Sequence, residues 1–119
     1  MRQRTREAYQ ASGPLATKKI GALLCELFLQ SKKERKHPLV VGIVGELGAG
    51  KTTFVQGFAR ALGVRGKIVS PSYVLMKAFR LEGKKKFRHF VHIDCLRLKT
   101  SKEIKELGFS SIIEDREAV

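Results

Sequence analysis

Apolar residues recur along this chain at different spacings, and each spacing predicts a different element. From Leu15 to Gln30, the positions Ile20, Leu23, Leu24, Leu27 and Phe28 share one arc of a helix, which predicts an amphipathic helix with one buried face. Ser31 to Pro38 is a charged linker closed by proline. Leu39-Val40-Val41-Gly42-Ile43-Val44 is a continuous apolar run of buried-strand type. Helical spacing returns from Thr53 to Leu62, with Phe54, Phe58 and Leu62 at i, i+4 and i+8, and Gly63 as the stop. Lys67-Ile68-Val69 is a short strand candidate. Ser70-Pro71-Ser72-Tyr73 reads as a polar loop, because proline biases Ser70 away from helix. Val74 to Leu81 and Phe87 to Asp94 are β-branched and aromatic runs around Glu82-Gly83-Lys84, which predicts a hairpin. Thr100 and Glu103 form a capping box ahead of a short helix, Ser101 to Leu107, ended by Gly108; Ser111 and Glu114 repeat the signature.

Between the apolar run and the second helix lies Gly45-Glu46-Leu47-Gly48-Ala49-Gly50-Lys51-Thr52, which fits G-x-x-x-x-G-K-[ST]. Glycines at that spacing let the backbone curl until several N–H groups face one anion. The lysine reaches the β- and γ-phosphates, the threonine hydroxyl ligates Mg²⁺, and the helix that begins there adds its positive dipole end. A random chain of this length matches the pattern at roughly the 10⁻³ to 10⁻² level. Strand, glycine loop and helix are the setting the motif requires. The expected fold is therefore an α/β phosphate-loop NTPase, a mainly parallel sheet with helices on both faces. Residues 1–13 read as a flexible basic tail and 14–119 as the NTPase domain.

A triphosphatase also needs a carboxylate beside Mg²⁺, commonly at the end of an apolar strand. The chain has two aspartates. Asp94 ends Phe90-Val91-His92-Ile93, whereas Asp115 sits in a charged stretch, so Asp94 is the expected metal-side carboxylate with Thr52. His92 shares a strand face with Asp94 by period-2 geometry, either touching the phosphates or metal-bound water, or serving as a hydrogen-bonded structural residue. Ser72 and Tyr73 suit a loop that senses the γ-phosphate, or an ordinary Ser-Pro turn. Glu46 either orients a water or faces solvent. Guanine-specific GTPases usually carry an Asn/Thr-Lys-x-Asp element; the chain has no asparagine, and Thr17-Lys18-Lys19-Ile20 lacks the aspartate, which leaves ATP as the expected nucleotide.

Composition narrows the setting. With 119 residues and 43% apolar content the chain can bury one small core. No apolar run is long enough for a membrane span, and no apolar segment follows the basic start as a secretion signal would require. Cys25 and Cys95 are too few for a disulfide framework or a zinc site, as expected of reduced cysteines in the cytoplasm. The net charge of +13 gathers at Arg2/Arg4/Arg6, at Lys32-Lys33-Glu34-Arg35-Lys36 and at Lys84-Lys85-Lys86-Phe87-Arg88. Such clusters serve a polyanionic partner, RNA first among them, or are solvated loops of a basic protein.

Taken in order, five segments resemble the TsaE family. Ala16-Thr17-Lys18-Lys19-Ile20-Gly21 resembles its Thr-x-x-Leu-Gly helix opening, and Gly45 to Phe54 its G-[DE]-L-G-A-G-K-T-T loop. Ser70-Pro71-Ser72-Tyr73 resembles its Ser-Pro-Thr-[FY] loop, His92-Ile93-Asp94-Cys95-Leu96-Arg97-Leu98 its His-x-Asp-x-Tyr-Arg-Leu strand end, and Glu106-Leu107-Gly108 the Glu-x-x-x-[LM]-Gly segment after it. The resemblance covers about residue 15 to the C-terminus. It implies the ATPase of bacterial tRNA N6-threonylcarbamoyladenosine synthesis, slow Mg²⁺-dependent hydrolysis and action with a TsaB–TsaD pair. Carried over residue by residue, it makes Lys51 and Asp94 catalytic and assigns Gly45, Glu46, Leu47, Gly48, Ala49, Gly50, Lys51, Thr52, Thr53, Ser72 and Thr17 to the nucleotide. Ser72 replaces the family threonine and keeps its hydroxyl, whereas Leu96 replaces a tyrosine and loses a polar handle. The family pattern continues into an Ile/Val-Glu-Trp strand whose carboxylate approaches Mg²⁺, and this chain has no tryptophan. The expectation is a domain incomplete on its C-terminal side. No cis arginine finger is evident beyond Arg97, so turnover is expected to depend on a partner. Two other readings stay open: a nucleotide-gated binding subunit that does not hydrolyse ATP, and a small-molecule kinase using the same loop.

Overall fold

The computed structural model describes residues 6–45, 48–66, 68, 76–82, 86–93 and 112–119. Helix α1 spans Pro14–Gln30. Proline at the first helical position has its φ already set and no N–H to leave unpaired. The helix ends where Ser31 turns extended, its N–H donating to the Phe28 carbonyl at 3.3 Å. Helix α2 spans Lys51–Leu62 and starts two residues before the apolar spacing suggests. Its far end is closed by Gly63 at φ 104°, a left-handed conformation that favours glycine. Gly63 N–H donates to Arg60 O at 3.1 Å and Val64 N–H to Ala59 O at 3.0 Å, the two bonds of a Schellman motif.

The helices cross at two glycines. A Cβ on Gly57 would lie 2.0 Å from the Lys18 carbonyl oxygen, and one on Gly21 would lie 2.3 Å from the Phe54 carbonyl oxygen. Only hydrogen at both positions lets the backbones approach this closely. The buried side of α1 is consequently the one bearing Gly21 and Cys25. Leu23 and Leu27, expected on the buried face, are 59% and 60% exposed. The apolar arc was broad, and the small residues mark the side of closest approach.

Strands β1 (Met76–Arg80) and β2 (His89–Ile93) pair antiparallel, with Met76 opposite Ile93 and Arg80 opposite His89. This is the predicted hairpin, with its strands shorter at the turn side than predicted. Phe28 of α1, Phe58 of α2, Phe90 of β2 and Phe79 of β1 form a chain of rings with centroids 6.3, 6.4 and 5.9 Å apart. That chain ties the helix pair to the hairpin. Around it Cys25, Val55, Ala59, Leu62, Leu81 and Phe87 are buried. Each fully buried large side chain contributes roughly 1.5–3 kcal/mol.

The predicted strand at 39–44 is not formed. Val40 and Val44 are 76% and 98% exposed, and among the described residues the backbone bond from this run to another segment is Leu39 N–H to Ala118 O at 3.1 Å. An apolar run becomes a strand only when an edge lies alongside to complete its hydrogen bonds. Among the described residues the sheet is two-stranded and antiparallel rather than mainly parallel. Among the described residues, parallel pairing is confined to residues 117–119 beside β2. There Arg88 N–H donates to Glu117 O, Val119 N–H to His89 O and Val91 N–H to Val119 O, at 2.8 to 2.9 Å. Val69 to Leu75, the loop tip 83–85, and residues 94–111 with their predicted short helix lie outside the described residues.

Candidate functional site

The glycine loop is built by backbone conformations other residues resist. Gly48 has φ 81° and Gly50 φ 93°, both left-handed, and no non-glycine residue among those described has positive φ. Gly50 occupies the position ahead of α2 where a serine, threonine or aspartate would ordinarily cap the helix, and no side chain caps it. The first helical bond joins Phe54 N–H to Gly50 O at 2.9 Å. By helix geometry the N–H groups of Thr52 and Thr53 have no carbonyl partner within the helix, and no carboxylate stands in that first turn. An uncapped helix start with its positive dipole end and no acid in its first turn suits an anion.

Lys51 folds back over the loop. Its Cγ and Cδ lie 3.6 and 3.7 Å from where a Cβ would stand on Gly45, and its Nζ donates to the Gly45 carbonyl oxygen. The ammonium thus sits across the loop's own mouth. A phosphate oxygen offers it a charge-assisted bond, roughly twice as strong as a neutral carbonyl can. Thr52 and Thr53 are half-buried on the first turn of α2. The residues present fit a triphosphate.

Thr17 is brought to the loop from α1, its methyl 3.8 Å from the position of a Cβ on Gly50. Its hydroxyl donates to the Gly13 carbonyl oxygen at 3.1 Å. Thr17 therefore presents a methyl to the loop and commits its proton to its own helix. Glu46, Leu47, Ser72 and Asp94 lie outside the described residues, as do Tyr73 and Arg97. His92 is half-buried on β2, opposite Lys77. No group of three or more His, Cys, Asp or Glu side chains able to hold a metal occurs among the described residues. A separate cleft of about 520 Å³, lined by Leu15, Lys18, Lys19, Gln56, Arg60 and Ile68 among others, shares no described residue with the glycine loop.

Asp115 makes structural contacts near the C-terminus. Its Oδ2 lies 2.8 Å from His89 Nδ1, and its Oδ1 accepts the Glu117 N–H at 3.0 Å. Together with the Arg88–Glu117 contact at 2.8 Å, it fastens the last residues to the start of β2. Sequence reasoning had no signal for this pairing, since His89 and Asp115 share no short motif. It also missed the glycine crossing, for which Gly57 inside an otherwise helical segment was the available sign. No helix among the described residues is long and apolar enough to cross a membrane.

Comparison with known proteins agrees with the loop geometry. Residues 12–119 match the family described as "Threonylcarbamoyl adenosine biosynthesis protein TsaE". The chain is similar to proteins named "tRNA threonylcarbamoyladenosine biosynthesis protein TsaE" from three bacteria. It is 44% identical to that of a Synechocystis strain over 61 residues, 51% of this chain and 36% of the relative. It is 31% identical to that of Haemophilus influenzae over 90 residues, 76% of this chain and 53% of the relative. It is 36% identical to that of Mycobacterium leprae over 95 residues, 74% of this chain and 58% of the relative. The matched region thus spans between about a third and three-fifths of these relatives' own length. With the family match covering nearly the whole sequence, around a loop whose fold suits a phosphate, the chain belongs to the TsaE family.

Proposed function

We propose that Gly45 to Thr53 hold the triphosphate of Mg·ATP and that the chain serves as the partner-dependent ATPase of tRNA N6-threonylcarbamoyladenosine biosynthesis. The nucleotide half of this reading rests on the start of α2, where left-handed Gly50, an absent capping side chain and a folded-back Lys51 meet. The biosynthetic half is supported by family membership and by the names the relatives carry. The proposed partners are a TsaB–TsaD pair and tRNA, and the proposed compartment is the cytoplasm.

In this reading Lys51 exchanges the Gly45 carbonyl for phosphate oxygens, and the N–H groups of the first turn of α2 take the remaining charge. The Thr52 hydroxyl and the Asp94 carboxylate take the metal side, and Ser72 completes the nucleotide contacts. Thr17 contributes packing through its methyl. Bound Mg·ATP supplies the scissile phosphoanhydride; the chain's residues position it and neutralise charge, which carries most of the catalysis in such enzymes.

The test is calorimetric titration of Mg·ATP into the protein and its Lys51→Ala variant. Each hydrogen bond to a charged group is worth about 1.5–3 kcal/mol, so affinity should fall roughly 10- to 100-fold. An unchanged affinity would overturn the assignment of the loop.

A further inference from the structure

Two basic clusters separated by some fifty residues of sequence lie against one another. Lys86 Nζ donates to the Ser31 carbonyl oxygen at the head of the first cluster. The Arg35 guanidinium carbon stands 4.3 Å above the Phe87 ring centroid, in the middle of the second. Phe87 is 1% exposed, and Arg35 Nε is buried against it with no hydrogen-bond partner among the described residues. These contacts hold the two clusters beside one another. Lys32, Lys33 and Lys36 stay exposed around them, and the Arg88 side chain is 70% exposed. Six cations (Lys32, Lys33, Arg35, Lys36, Lys86 and Arg88) thus share one region with two carboxylates, Glu34 and Glu117, the latter paired with Arg88.

We infer that this joined surface binds the phosphate backbone of RNA. A protein partner would need an apolar centre to its contact, and the aromatic ring of this patch is buried as its floor. Nucleic-acid contacts are instead polar and strongly positive. With no exposed aromatic in the patch among the described residues for bases to stack on, the contact reads charge and spacing, not sequence. The net four positive charges suit about four phosphates. For a duplex stem the logarithm of the binding constant then falls with the logarithm of salt at a slope of about −3.6. Between 50 and 200 mM salt that is a loss of about 150-fold.

The inference extends the tRNA reading from a pathway to a direct contact, and the experiment separates the two. A fluorescein-labelled RNA hairpin is titrated with the full chain across that salt range, alongside Lys32→Gln/Lys33→Gln and Lys18→Gln/Lys19→Gln. All four lysines are exposed, so both variants lose the same charge from solvent-facing positions. The first should lower the slope by about 2. The second should leave it near the parent value. Equal slopes for the two variants, a flat salt response, or tight binding of polyglutamate with none of RNA would each overturn the inference. Mg·ATP titration of the same variants should be unchanged; loss of ATP binding only in Lys51→Ala, with RNA binding retained, would show the two sites to be independent.

Discussion

Replacing Gly57 with alanine places a methyl group 2.0 Å from the Lys18 carbonyl oxygen and 2.6 Å from Lys18 Cα. Both are backbone atoms of α1, so no side-chain rotation relieves the overlap. An ordinary contact needs about 3.5 Å, so the helices must separate by about 1.5 Å at the crossing. Overpacking a tight contact costs about 1–3 kcal/mol, and an overlap this deep belongs at the upper end. Alanine returns about 1 kcal/mol through its better helix propensity. The net loss is about 2 kcal/mol. For a domain of this size it lowers Tm by about 8 °C and, in urea, moves the midpoint down with no change in slope. Propensity alone predicts the opposite sign, a gain of about 1 kcal/mol. A variant as stable as the parent, or more so, would refute the crossing. The same separation draws the Thr17 end of α1 from Gly50, so ATP affinity should weaken alongside stability.

Gly63→Ala keeps the helix but forces a Cβ into φ 104°, which should cost about 1–2 kcal/mol in urea unfolding. Phe90→Ala removes the ring between Phe58 and Phe79, and should cost about 3–5 kcal/mol, read as a lower urea midpoint or a broad thermal transition at reduced temperature.

What could be read beforehand is what short-range chemistry determines. The loop from Gly45 to Thr52 was legible because a fixed spacing of glycines, lysine and threonine has one common physical use. The end of α2 at Gly63 and the pairing of β1 with β2 were legible because turn residues and alternation are local. The buried side of α1 was not. Ile20, Leu23, Leu24, Leu27 and Phe28 span an arc wide enough to face several ways, and the choice was made by Gly21 and Gly57, residues with no side chain to count. Leu39 to Val44 had the composition of a buried strand, but a strand is a relation between two segments, and among the described residues only Leu39 shows a backbone bond to another segment. The stacking of Arg35 on Phe87 is a relation of the same kind, between segments far apart along the chain.

Burial along α2 shows how the loop's cost is carried. Lys51 to Phe54 are half-buried, while Val55, Gly57, Phe58, Ala59 and Leu62 are buried. The helix is therefore held by its second half: the crossing at Gly57, the ring chain through Phe58 and the Schellman closure at Gly63. Its first turn forgoes the side-chain cap, worth about 1 kcal/mol at other helix starts, and depends on two left-handed glycines that pay backbone entropy on folding. Anchored at its end, α2 leaves its first turn without that cap beside the glycine loop, and under the proposed function a bound phosphate would supply the charge that a capping side chain supplies elsewhere.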